Sequence, residues 1–181
     1  MNPIAAGFGR ALGRWLSREH HVHGTSPPPS QAALAATLHP ADVLLVEGRT
    51  RVSVAIKYLT QSTWSHAALY VGDCGQGAPH CFVEADIVEG IRVVGLEEFA
   101  GLHSRICRPV GLTDTDRRRV VEFALARDDC PDCVEEILRV RHHSLFVPRD
   151  FDVSPYFQIV KPTLEQGFDY RRLAWAEEVA A

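Results

Sequence analysis

STWSHAALYVGD, residues 62–73, is an apolar run that starts at a histidine and closes on a glycine turn. Side chains alternate along a strand, so His66, Ala68 and Tyr70 share one face, and Ala67, Leu69 and Val71 the other. The run reads as core apart from its first residue. A histidine there sits at the sheet edge, half exposed, where this residue type exchanges protons near neutral pH. The next apolar run, HCFVEAD (residues 80–86), follows a turn over residues 72–77 and reads as the second strand of a hairpin. Its Glu84 then lies beside or diagonal to His66. A carboxylate inside an apolar strand is costly to bury unless it is paired. Each residue taken alone has a bland alternative, a satisfied structural histidine and a surface glutamate. Taken together in neighbouring strands, they fit a proton acceptor and the acid that orients it.

The flanking sequence sets the architecture. AALAATL (residues 32–38) reads as a short helix, and DVLLVEG (42–48) as a buried strand stopping at Gly48. Residues 50–61 are predicted to be a helix capped by Thr50. After the hairpin come a third strand in GIRVVGL, a helical turn in LEEFAGL, and a fourth strand in SRICRPVG. TDTDRRRVVEFALARDD is a helix capped by Thr113 with Asp116 three residues on, and Val120, Val121, Phe123 and Ala124 supply its apolar face. Beyond it, Pro131 precedes a short helix in VEEIL. The aromatic-rich C-terminal tail is expected to be largely irregular, with a strand at YFQIV (156–160) and Arg–Asp pairs in PRDFD and FDYRR holding it down. Consecutive strands with short turns imply an antiparallel sheet with helices packed on one side, an α+β class. The expected organisation is an amphipathic helix in residues 1–23, a Pro-rich linker at 24–31 and one domain over 32–181.

Composition narrows the function. The chain has 181 residues, 46% of them hydrophobic, and a net charge of −4, which speaks against a nucleic-acid binder. No apolar stretch approaches the roughly 18–20 residues of a membrane span. Ile4, Phe8, Ala11, Leu12, Trp15 and Leu16 recur at helical spacing, with Arg10, Arg14 and Arg18 mostly elsewhere on the wheel. Residues 4–16 can therefore lie on an anionic membrane, or dock on their own domain. Five cysteines, an odd number, fit free thiols in a reducing compartment, so a cytoplasmic and optionally membrane-peripheral location is expected. Cys81 and Cys107 sit in strands and read as core, and Cys74 follows a turn. Cys130 and Cys133 form a CPDC run. Cys133, just after Pro131 and Asp132, falls in a first helical turn, where the dipole favours thiolate. Glu135 and Glu136 oppose that. The run has further readings: a redox dithiol, half of a zinc site completed by His142 and His143, or two incidental thiols.

The stretch ADVLLVEG…STWSHAALYVGD…CFVEAD resembles the circularly permuted papain-like group of the NlpC/P60 superfamily, the YiiX/YebB-like cysteine hydrolases. The resemblance implies a permuted papain-like fold, His66 as general base and Glu84 as its orienting acid. It implies no cofactor or metal. The substrate would be a small peptide, a cell-wall peptide or a lipid-linked acyl group. Asp42 occupies the family's Gly-Asp position, with Ala41 where glycine is usual. Lys57 and Tyr58 correspond to a stretch that can line the cleft in members. The family's nucleophile comes last, in a Cys-Ser-x-Leu type motif that this chain lacks, and the chain is shortened at that junction. Cys133 is the candidate nucleophile that remains, with Cys130 second. Three functions stay open: a cysteine hydrolase using Cys133, His66 and Glu84; an inactive binding module of the same fold; and a membrane-peripheral protein.

Overall fold

The computed structural model describes residues 28–74, 79–86, 89–126 and 147–160. The expected N-terminal helix, the CPDC run and the tail beyond Val160 lie outside them. In chain order the described elements are α1 (Gln31–Thr37), β1 (Val43–Val46), α2 (Arg51–Thr60), β2 (His66–Gly72), β3 (Cys81–Asp86) and β4 (Gly90–Gly95). A 3-10 turn (Leu96–Phe99), β5 (Ser104–Pro109), α3 (Asp114–Leu125), α4 (Pro148–Val153) and β6 (Phe157–Val160) follow. The strands form one antiparallel sheet in the order β4-β3-β2-β1-β5-β6. This is the α+β architecture expected from the runs of strands.

Register decides what meets at each end. Val46 pairs with His66 on one side and Ser104 on the other. One step in, Leu44 pairs with Ala68, Ala68 with Glu84, and Glu84 with Arg92. Directly opposed residues point to the same face, so His66, Glu84 and Arg92 share one. On that face Leu44, Val46, Ala68, Tyr70, Phe82 and Ile106 pack beneath Leu34 and Leu38 of α1 and beneath Leu96 and Phe99. Phe82 is fully buried, edge-on to Phe99 at 4.9 Å between ring centroids. Removing so large a buried side chain typically costs about 3–5 kcal/mol. The second face carries Val43, Leu45 and Cys107 against Trp64, with Phe151 of α4 and Phe157 packed on them. One refinement of the expected layering is therefore that α4 lies across the sheet from α1.

Two locks close the ends. Asp42, fully buried just before β1, accepts hydrogen bonds from Arg108 Nε (2.9 Å), Arg108 Nη2 (2.8 Å) and the His39 amide (2.8 Å). Arg108 also donates to the Thr37 carbonyl, tying α1, β1 and β5 together. Ala41, where family members usually carry glycine, takes a left-handed φ of 72°, a conformation that costs an alanine roughly 1 kcal/mol or more. At the other end of β1, Gly48 lets the chain pass close to α2: a methyl group there would collide with Ser53 Oγ. Thr50 caps α2 as expected, its hydroxyl accepting from the Ser53 amide.

The third helix departs from its expected packing. Its capping box is in place, with Thr113 Oγ1 accepting from the Asp116 amide and Asp116 accepting from that of Thr113. Its half-buried side, however, is Arg117, Val121, Ala124 and Leu125, whereas Phe123 is 62% exposed and Val120 also faces outward. Arg117 turns inward because its guanidinium reaches the Pro109 carbonyl. At the C-terminal end, Asp152 of the PRDFD segment pairs with Arg105 of β5 and accepts from the indole of Trp64, while the FDYRR part of the Arg–Asp expectation lies outside the described residues.

Candidate active site

His66 opens β2 and Glu84 lies in β3, one pair further along, so the two meet diagonally across the hairpin. His66 Nε2 stands 2.7 Å from Glu84 Oε2. The carboxylate is buried, while the imidazole is about a third exposed at the wall of a cleft of about 460 Å³. Val52, Ser53 and Ile56 of α2 form the facing wall. An ionised carboxylate only accepts, so the neutral imidazole carries its proton on Nε2 and leaves the lone pair on Nδ1. That arrangement equips Nδ1 to take a proton from a donor in the cleft.

Arg92 completes the unit. Its Nε donates to Glu84 Oε1 at 2.8 Å, and its Nη2 lies 2.6 Å from the same oxygen. Arg92 also reaches Glu89 and Glu98. Each oxygen of Glu84 thus has its own cationic or N–H partner. Burial alone pushes the Glu84 carboxyl up, but the hydrogen bonds and charges of His66 and Arg92 outweigh it and hold the group below its ordinary value. A depressed carboxylate stabilises the fold above its unfolded value, near 4.5, and loses that contribution as pH falls through the folded value. Urea titrations of wild type and Glu84→Gln from pH 7 to pH 3 are expected to show the wild-type advantage shrinking below about pH 4.5. An advantage that grows with acidity contradicts this pairing.

A second acid–histidine pair occupies the same end of the sheet. Glu47, buried, lies 3.1 Å from His103 Nδ1 and 3.4 Å from Lys57 Nζ. Glu47 follows Val46, so it faces away from His66. His103 packs at a tilt against the buried Trp64, with ring centroids 5.0 Å apart. This cluster fastens α2 and the loop before β5. Lys57 is spent on it and Tyr58 is 81% exposed, so neither lines the cleft. Trp64 fills core.

The described thiols do not reach His66. Cys81 pairs with Gly72 at the far end of β2, roughly 20 Å away by strand rise. Cys74 lies beyond that same end. Cys107 is buried on the opposite face, and burial, reinforced by Asp152, pushes its thiol up to about 12. Such a thiol stays protonated near neutrality. Cys133 and Cys130 lie outside the described residues, as do His142 and His143 of the zinc reading. Among the described residues no cluster of three metal-ligating side chains occurs.

The residues in contact are a histidine at a strand head and an acid in the next strand, on a sheet of this order. The family model of the permuted papain-like amidase enzymes, YaeF/YiiX, C92 family, matches residues 37–131, just over half of the chain. The chain belongs to the permuted papain-like amidase family. The match runs from the end of α1 past α3, takes in both His66 and Glu84, and stops before Cys133. No curated protein sequence matches the chain.

For a permuted papain-like amidase, the sequence located the histidine and its acid and missed Arg92. The signal was there. In a β3–β4 hairpin closed by a short turn, residues 84 and 92 fall opposite each other on one face, and a buried glutamate there calls for a cation.

Proposed function

We propose that the chain is a cysteine amidase in which Cys133 is the nucleophile, His66 the general base and Glu84 the residue that orients it. The observation that carries this reading is the 2.7 Å contact between His66 Nε2 and the buried Glu84 carboxylate. It leaves Nδ1 as the basic nitrogen of a side chain that lines the cleft. Attack begins when Nδ1 removes the proton from Sγ and the thiolate adds to the amide carbonyl carbon. The tetrahedral adduct collapses as the carbon–nitrogen bond breaks, and His66 returns its proton to the leaving amine. Water then attacks the thioester, giving a proton to His66, and as the carbon–sulfur bond breaks Sγ departs, takes that proton back and the acid is released. The substrate class is an amide in a small or cell-wall peptide, or a lipid-linked acyl group.

A second reading, a binding module of the same fold, draws support from the missing Cys-Ser-x-Leu motif and from the absence of a thiol beside His66 among the described residues. One experiment separates the two. The full chain is labelled with iodoacetamide at pH 7, and mass spectrometry reports the modified cysteine. In the amidase reading Cys133 is alkylated fastest and His66→Ala slows it at least tenfold. Uniform slow labelling that ignores His66→Ala leaves the binding module standing.

A further inference from the structure

The second helix exposes an apolar arc. Successive residues are about 100° apart on a helical wheel, so Val54, Tyr58, Arg51, Ala55 and Leu59 occupy one continuous arc. Tyr58 is 81% exposed, Leu59 79%, Val54 38%, and Ala55 also faces outward. The inward arc is mixed: Val52 and Ile56 are half-buried, Ser53, the helix's buried residue, sits against Gly48, and Lys57 reaches Glu47. The helix thus leaves a second apolar stripe, Val54, Ala55, Tyr58 and Leu59, turned outward. Tyr58 adds a side chain with an apolar body and a polar tip, the type favoured at membrane–water boundaries.

Charge selects the occupant. Beside the inward Lys57, which pairs with Glu47, the stretch between Glu47 and Asp73 holds Arg49 and Arg51 and no Asp or Glu, although the net charge is −4. At the C-terminal end of the helix Arg149 donates to the Thr60 carbonyl and adds another cation. A second copy laid on this face would bring the same cations together, whereas an anionic surface answers both the charge and the apolar arc.

We propose that α2 is an interfacial helix that seats the protein on an anionic lipid bilayer, with Val54, Ala55, Tyr58 and Leu59 entering the headgroup boundary. The inner arc of the same helix, Val52, Ser53 and Ile56, walls the His66 cleft. Docking brings that cleft within about one helix diameter, roughly 10 Å, of the lipid. The proposed surface rests on α2 alone and on no catalytic step.

Flotation of the full chain with vesicles tests it. Vesicles of 7:3 phosphatidylcholine and phosphatidylglycerol are compared with pure phosphatidylcholine, at low and high salt. Wild type is expected to float with the anionic vesicles only, and to be released by salt. Tyr58→Ser/Leu59→Ser is expected to lower partitioning at least tenfold. These side chains are exposed, so circular dichroism and the melting temperature should be unchanged, which separates lost binding from lost fold. A Phe8→Ser/Trp15→Ser chain reports any separate contribution of the N-terminal segment and should retain the dependence on Tyr58 and Leu59. Wild type that floats with neither vesicle, or a Tyr58→Ser/Leu59→Ser chain that floats like wild type, overturns the proposal. So does a dimer, seen by light scattering, that this double substitution dissolves: it would assign the face to a second copy.

Discussion

Glu84→Gln is expected to lower amide hydrolysis on the order of 10²- to 10⁴-fold while leaving the fold in place. The argument turns on which end of the new amide faces which neighbour. Arg92 has only donors, so it claims the glutamine oxygen at the position now held by Oε1. The amide nitrogen is then left facing His66 Nε2, and it can only donate. Nε2 must accept, and the imidazole proton moves to Nδ1, the nitrogen that has to receive the thiol proton. The substitution preserves volume and both hydrogen bonds, yet it installs the wrong tautomer. Hydrolysis of a panel of N-acyl nitroanilides measures the effect. The rate of Cys133 alkylation measures it without a substrate. Full activity in Glu84→Gln, in a chain whose activity His66→Ala abolishes, would remove Glu84 from the mechanism. Glu84→Asp makes a useful contrast. It keeps the charge and the tautomer but is one methylene shorter, so it cannot span His66 and Arg92 together and should retain an intermediate rate.

What the sequence made legible followed from period and proximity. Strand alternation placed His66 on one face, and the turn after β2 brought Glu84 into the adjoining strand, so a contact between residues only 18 apart in sequence was readable. The caps at Thr50 and Thr113 were readable for the same reason, since each is a contact over three residues. Arg92 was equally local and went unread because β4 was taken for its apolar residues alone. Other features were not local. Arg108 and Asp42 are separated by 66 residues, and their pairing exists because β5 crosses back to lie against β1. No periodicity announces that. The outward arc of α2 was hidden for a different reason. A spacing of apolar residues says that a helix has a face, and it does not say which way the face turns. Here the missing side chain at Gly48 leaves room for Ser53 to turn inward and Glu47 draws Lys57, so these contacts fix the helix's rotation and Val54, Tyr58 and Leu59 are left outside. In α3, similarly, the Pro109 carbonyl orients Arg117 toward the sheet and Phe123 outward.

Arg108→Met should cost about 3–5 kcal/mol of stability, a large part of what a domain of this size has to lose. Asp42 is fully buried, and Arg108 makes two charged hydrogen bonds to it. Methionine keeps much of the apolar stem's volume and removes the cation, so the carboxylate is left in the interior with only the His39 amide to satisfy it. The Thr37 carbonyl loses its donor at the same stroke, loosening α1 from the sheet it covers. Most of the cost is that of the stranded charge rather than of the lost attraction. It follows that Asp42→Asn/Arg108→Met should recover part of it, because the asparagine can still accept from His39 and carries no charge to desolvate. Urea denaturation of the three chains checks both statements, and a single Arg108→Met change under 1 kcal/mol would sink them. The lock stands toward the opposite end of β2 from His66, beside Tyr70, about 13 Å away by strand rise. Below its melting temperature the Arg108→Met chain should therefore alkylate Cys133 at the wild-type rate. Glu84→Gln should show the reverse pattern, a folded chain with a slow thiol, and that opposition separates the part of this sequence that builds the sheet from the part that loads its edge with chemistry.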